Sequence, residues 1–339
     1  MTESPILLLH ESLAGHRADY LKLFNRLFEE SGFDVEQRRL SFGDVLYPGP
    51  IFSTMLEEHP MRFAAVAALR ALMGKRSVTL IFRPVEAATG RSMRLRAKRL
   101  ALSLLKRSRR VSVLSILPFD ANPAIARSAT GWIYDPQFWD VPLGKVLPPP
   151  PIDLASLARG RKIVCALGTQ NEQKGFDLFC RLWADHADIR DRYLFVAAGK
   201  VTDSLKDTAE AFMAAGGVVL NRFISDDELL GLYGASDLVW CCYAPNYDQA
   251  SGIFGRAIQL GRTPIIRAGS LVDRLSRNLS IPAIAVSYEP QDAASILAEA
   301  SLAKPRTIDV AAMREDSSRS LFAALGVVMG SDRAKPHRP

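Results

Sequence analysis

Four consecutive prolines, Pro148–Pro151, interrupt a chain that otherwise alternates short apolar runs with amphipathic ones. Neither a helix nor a central strand passes through such a run, because each ring fixes φ and removes an N–H donor. The run reads as a stiff, extended connector. At 339 residues the chain exceeds one ordinary domain, and two domains of about 150–180 residues are the natural division. The expected organisation is residues 1–150 and 151–330 as two domains, with the short, polar and basic 331–339 as a disordered tail.

Both halves carry the same pattern. In the first, Ile6–His10, Val78–Phe82 and Val111–Leu117 read as buried strands. A helix bearing Tyr20, Leu21, Phe24, Leu27 and Phe28 on one face follows the first of them. In the second, strands are expected at Lys162–Leu167, Tyr193–Ala198, Val218–Leu220, Leu238–Cys242 and Pro264–Ile266. Helices are expected at Phe176–Ala184, near Asp203–Ala215, at Asp226–Tyr233 and at Ile253–Leu260. Strands alternating with helices specify parallel sheets covered on both faces. Two doubly wound, Rossmann-like lobes facing a cleft are the expected fold class, although neither contains G-x-G-x-x-G.

Charge is divided unevenly. Residues 1–150 hold 21 Lys and Arg against 14 Asp and Glu, and the remainder 22 against 22. An anionic partner therefore belongs with the first half. Cys165, Cys180, Cys241 and Cys242 lack ligand spacing and are expected to be buried free thiols, as in a reducing compartment. Pro5–Leu9 is too short, and lacks the basic flank, for a signal peptide, and no apolar run reaches the length of a membrane span. The expected location is cytoplasmic.

Three segments of the second half carry chemistry. Gly168, Thr169 and the residues up to Lys174-Gly175 lie between a strand and a helix, where a parallel sheet opens its ligand crevice. Gly168 permits close backbone approach, and Lys174 supplies a cation suited to a diphosphate. Next, Arg222-Phe223-Ile224 leads into a helix whose Ser225 and Glu228 form a capping box. Finally, Asn246–Ala257 runs into a helix beginning at Ser251-Gly252, where free N–H groups and the dipole favour an anion. Asp248 stands just outside it, placed to accept from sugar hydroxyls, and Arg256 inside it, placed for a phosphate or ribose. A packing helix, a solvated lysine and a plain N-cap explain each segment singly.

Their order and spacing resemble the C-terminal domain of retaining family 4 glycosyltransferases over residues 162–270, including Ala257, Gly261 and Pro264-Ile265-Ile266. The resemblance implies a GT-B fold. It implies that Gly168, Thr169 and Lys174 hold a donor diphosphate, that Arg222, Phe223 and Ile224 frame the base, and that Asp248, Ser251, Gly252 and Ile253 hold the donor sugar and distal phosphate. Lys174, His16 and Asp248 become the catalytic candidates. Two departures stand out. The family's Glu-x7-Glu is here Asp248 and Arg256, and Thr169-Gln170 occupies the place of a common arginine. Neither a metal nor a cofactor is expected, the nucleotide sugar being a substrate. A nucleotide-sugar epimerase, a phosphorylase or an inactive nucleotide-sugar-binding lobe would share the architecture.

In the first half, Gly15, His16 and Arg17 follow the opening strand and stand where such enzymes meet the acceptor. His16 is suited to proton relay, and Arg83 is a further acceptor-side candidate. Arg91–Arg110 contains nine basic residues and no acidic one. Met93, Ala97, Leu100 and Leu104 place an apolar stripe along it, either packed in the lobe or facing an anionic lipid surface, with the apolar Met61–Met73 stretch adding contact. The membrane reading suggests a lipid-linked acceptor in surface polysaccharide assembly. Nucleic acid is not expected, since no aromatic platform interleaves the charges.

Overall fold

A computed structural model of the protein describes residues 4–10, 16–90, 92–142, 144–301 and 308–328, with the side chains of His16, Arg17 and Arg94 outside the description. The expected tail at 331–339 lies outside the described residues. The chain divides into two compact units: residues 1–136 with 311–339, and residues 137–310.

Unit 1 runs β1 (Ile6–His10), α1 (His16–Glu30), β2 (Val35–Arg39), β3 (Ile51–Ser53), α2 (Pro60–Leu72), β4 (Ser77–Ile81), α3 (Pro84–Thr89), α4 (Met93–Leu105), β5 (Val111–Ser115) and β6 (Gly131–Trp132). Its six strands are parallel in the order β2-β1-β3-β4-β5-β6. The apolar runs of β1 and β4 are buried throughout, as strands covered on both faces must be. Val35-Glu-Gln-Arg-Arg39 is an exposed edge strand. It is polar along its length and carries no apolar periodicity, so it was not among the expected strands.

Unit 2 runs α5 (Leu154–Ala158), β7 (Lys162–Leu167), α6 (Phe176–Asp185), α7 (Ala187–Arg192), β8 (Tyr193–Ala198), α8 (Lys206–Ala214), β9 (Val218–Leu220), α9 (Asp226–Ala235), β10 (Leu238–Cys241), α10 (Gly252–Gln259), β11 (Thr263–Arg267), α11 (Leu271–Asn278), β12 (Ile284–Val286) and α12 (Pro290–Glu299). Its parallel strands lie in the order β12-β11-β10-β7-β8-β9. Its core stacks Phe179 on Phe195, with ring centroids 4.6 Å apart, and packs Trp183 and Phe212 around them. All four cysteines are buried and unbonded, as their apolar surroundings suggested.

The division differs from the expected one at both ends. The prolines are not a free connector. They lie on α9, where a Cβ at Gly231 would stand 2.4 Å from the Pro149 carbonyl oxygen, so the glycine makes room for them. The break falls earlier, before Gln137, whose backbone crosses α10 at Gly255. The last helix, α13 (Val310–Leu325), returns to unit 1. There Phe322 packs edge-on to Phe28 at 5.9 Å and against Phe33 at 5.4 Å, Ser317 Oγ accepts from the Tyr134 N–H at 3.0 Å, and Arg314 pairs with Glu30. An apolar patch on unit 1 claims the helix that the sequence alone assigned to the second domain.

Candidate functional site

In unit 2 the chain leaves β7 toward β8 and β9 on one side, and leaves β10 toward β11 and β12 on the other. The topological switch point lies between β7 and β10, and ligands of doubly wound sheets sit at the carboxyl ends of such strands. Two of the segments marked by sequence, Gly168–Gly175 after β7 and Asn246–Ala257 after β10, emerge there. A cavity of about 500 Å³ lined by Pro149, Pro150, Ile163 and Ala235 opens at the opposite, amino-terminal edge of the sheet and takes no part.

The loop after β7 is shaped by three residues. Gly168 has φ +82° and donates its N–H to the Ala198 carbonyl at 3.0 Å. Gly199 has φ +139°, and a Cβ there would lie 1.9 Å from the Gly168 carbonyl oxygen, so only glycine lets these strand ends approach. Gln170, 2% exposed, donates from Nε2 to the carbonyls of Ala166 at 3.0 Å and Gly168 at 2.8 Å. Its backbone bonds Lys200 and Thr202. Gly199 was not singled out in the sequence, because its partner Gly168 stands at the end of the neighbouring strand β7, and the sequence marks Gln170 only as standing where the family has a common arginine. Thr169 is exposed.

The two loops meet at Gly175. With φ +66°, its ideal Cβ would be 2.2 Å from the Cys242 carbonyl oxygen, a backbone-to-backbone contact that excludes any side chain. An ideal Cβ on Gly168 would lie 3.9 Å from Ile253 Cδ1, which brings the glycine loop against the start of α10.

Lys174 is held between them by its main chain. Its N–H donates to Asn171 Oδ1 at 2.9 Å, and its carbonyl accepts from Trp240 Nε1 at 3.3 Å. The ammonium lies 4.5 Å from the Tyr243 ring centroid and 5.9 Å from that of Tyr247. Among the described residues, no hydrogen bond or ion pair reaches it. Desolvation lowers its pKa, the neighbouring Cys241 thiol acting weakly the other way. Tyr243 continues the chain. Burial pushes its phenol well above the ordinary range, so it stays neutral, and its hydroxyl is hydrogen-bonded to Ser251 Oγ. Ser251 caps α10 by accepting from the Phe254 N–H at 3.2 Å, and among the described residues no hydrogen bond takes the Gly252 and Ile253 N–H groups that follow it. A cation with no ion-pair partner among the described residues and a helix start are thus joined through one tyrosine. Such a pair can hold a dianionic diphosphate.

The remaining candidates are committed to other partners. Asp248 accepts from the Leu271 N–H at 2.7 Å, the first residue of α11, and from Arg267 and Arg274, each at 3.3 Å. Arg256 is ion-paired with Asp140, both largely buried, next to α9. Arg222 forks onto the carboxylate of Glu228 at 2.6 and 3.1 Å, which fixes the turn leading into α9. Phe223 beside it is 84% exposed, whereas Ile224 is buried. The Ile253 carbonyl accepts from the Tyr233 hydroxyl at 3.3 Å.

The acceptor-side candidates belong to unit 1. His16 opens α1 and is followed by Arg17, while Gly15 and Arg91 lie outside the described residues. The Arg83 N–H donates to Glu57 Oε1 at 2.9 Å, and its side chain pairs with Glu86 at 3.6 Å.

No family model matches the chain, and no curated protein does. Solved structures match it over nearly its whole length. Anabaena HepE in complex with UDP is 13% identical, with 94% of this chain and 100% of that one covered and a TM-score of 0.62. HepE with UDP and glucose is 15% identical over 95% and 100%, TM-score 0.61. An α,α-trehalose-phosphate synthase (UDP-forming) from Burkholderia vietnamiensis is 13% identical over 96% and 100%, TM-score 0.59. At these identities the likeness shows the fold: this chain carries the GT-B arrangement of two Rossmann-like units in tandem.

Proposed function

We propose that the protein is a retaining glycosyltransferase that moves a hexosyl unit from a nucleotide diphosphate sugar to a hydroxyl acceptor. The observation that carries this reading is the unpaired Lys174 ammonium between the β7 and β10 loops, coupled through Tyr243 to the Ser251-capped start of α10. Glycosyl transfer from such a donor develops negative charge on the departing diphosphate. A fixed cation and fixed N–H dipoles in a partly desolvated pocket stabilise it without reorganising. No side chain is assigned as a nucleophile. That structures of the same fold were solved with UDP, and with UDP and glucose, supports a nucleotide-sugar donor.

The acceptor in this reading is lipid-linked, as in assembly of a surface polysaccharide at the inner face of a membrane. It meets the enzyme on unit 1, near His16, Arg17 and Arg83. Asp248, held by α11 and two arginines, frames the donor-sugar end rather than serving as a mobile base.

A thermal-shift panel of UDP, GDP, ADP and their hexose conjugates tests the reading. A ligand at about 100 times its Kd adds about 2.7 kcal/mol, which shows as a higher melting temperature. One nucleotide series raising the melt in the wild type, and not in Lys174→Ala, is the expected result. No shift with any member overturns the donor site. Turnover of the sugar nucleotide without acceptor points to an epimerase, and binding with neither hydrolysis nor transfer to an inactive lobe.

A further inference from the structure

An amphipathic helix normally turns its apolar stripe inward. The stripe of α4 does the reverse. Met93, Leu100 and Leu104 are 78%, 63% and 53% exposed, Ala97 is exposed between them, and the residues that pack inward are Leu102 and Leu105. α2 lies alongside α4 and does the same. Its outward residues are Met61, Ala68, Leu69 and Leu72, followed by Met73, while Phe63, Val66 and Ala67 take the core. Phe42 and Leu46, exposed on the short 3-10 turn packed against α2, extend the same patch. Surfaces of isolated soluble domains rarely place so many large apolar side chains side by side.

Charge selects what covers it. Between His59 and Phe119, Glu86 is the only acidic side chain against fourteen Lys and Arg. Arg99 and Lys106 are tied to carbonyls, Arg99 to Ala88 at 2.7 Å and Lys106 to Ala126. Arg96, Arg107, Arg109 and Arg110 are exposed and have no ion-pair partner among the described residues. Apolar side chains ringed by unpaired cations match a lipid surface bearing anionic headgroups. A nucleic acid would gain nothing from the leucines and methionines, and a second copy of the same face would set cation against cation.

We propose that the outward faces of α2 and α4 dock unit 1 on an anionic bilayer, with Leu69, Leu72, Leu100 and Leu104 entering the headgroup boundary and Arg96, Arg107, Arg109 and Arg110 meeting lipid phosphates. The inference stands on unit 1 alone and uses no residue of the Lys174 site.

The test is co-sedimentation of the full chain with phosphatidylcholine vesicles, with and without phosphatidylglycerol. Wild type is expected to bind the anionic vesicles, and less so as salt rises. Replacing Leu69, Leu72, Leu100 and Leu104 with Ser is expected to weaken binding at least about tenfold. Reversing Arg96, Arg107, Arg109 and Arg110 to Glu should weaken it about a hundredfold or more. Because all eight side chains are exposed, thermal melts followed by circular dichroism are expected to remain as in wild type. Equal sedimentation with both vesicle types overturns the proposal. So does unchanged binding by the leucine variant, or a wild-type dimer that the leucine variant dissociates.

Discussion

The Lys174 ammonium stands 4.5 Å from the centre of the Tyr243 ring, and that ring's hydroxyl is bonded to Ser251 at the head of α10. One residue after β10 thereby sets the position of a cation after β7 and of the helix start beyond it. An aromatic face attracts an ammonium without neutralising it, so Lys174 is held in place while keeping its charge for an anion.

Lys174→Ala should lower transfer by about a hundredfold, in line with loss of one charge partner of the departing diphosphate. Tyr243→Phe keeps the ring under the ammonium and removes the hydroxyl that bonds Ser251, so a smaller loss is expected, about tenfold or less. Burial lowers the Lys174 pKa. Between that folded value and the ordinary lysine value near ~10.4, the unfolded chain binds more protons, so this group makes stability rise with pH across the window. A bound diphosphate favours the charged form, so nucleotide affinity falls with rising pH over the same window. Calorimetry in buffers of different ionisation enthalpy should register proton uptake on binding.

Gly199→Ala places a Cβ against the Gly168 carbonyl at a backbone angle side chains rarely adopt. A loss of about 2 kcal/mol or more is expected, read as a melting temperature about 4–8 °C lower, together with weaker nucleotide binding because the Gly168 loop must move. Gly43→Ala, where a Cβ makes an ordinary contact 3.5 Å from Ser41 Oγ, should leave both nearly unchanged.

Asp140→Ala leaves the largely buried Arg256 guanidinium without its carboxylate, at a cost of about 2 kcal/mol. Asp140→Leu combined with Arg256→Met removes both charges and should cost less than either single change. A double-mutant cycle in urea measures the coupling, and additive losses would mean that the pair contributes nothing as a pair.

Glu228 offers a pH signature. Its hydrogen bonds from Arg222, and then from the Ser225 backbone, hold its carboxyl down at about 2. A carboxyl depressed in the folded state contributes stability above its unfolded value, near ~4.3, and loses it as pH falls toward about 2. Urea melts of wild type and Glu228→Gln should therefore differ at neutral pH and converge in acid.

What the sequence by itself determined is local. Apolar runs bounded by polar turns specify β7, β8 and β10. Ser225 and Glu228 three residues apart announce the capping box of α9, and Gly168, Lys174 and Ser251 mark loops at strand ends. Such features depend on neighbours a few residues away, and both the doubly wound fold class and the location of the candidate site followed from them. Which partner each exposed group takes was decided only by the tertiary structure. Asp248 is claimed by the N–H of Leu271, and Arg256 by Asp140, 116 residues earlier. α13 is claimed by Phe28 and Phe33 of unit 1. Periodicity shows that α4 has an apolar face, but a face is buried only if another element lies over it. Among the described residues none does, and the stripe that spacing alone left open looks outward.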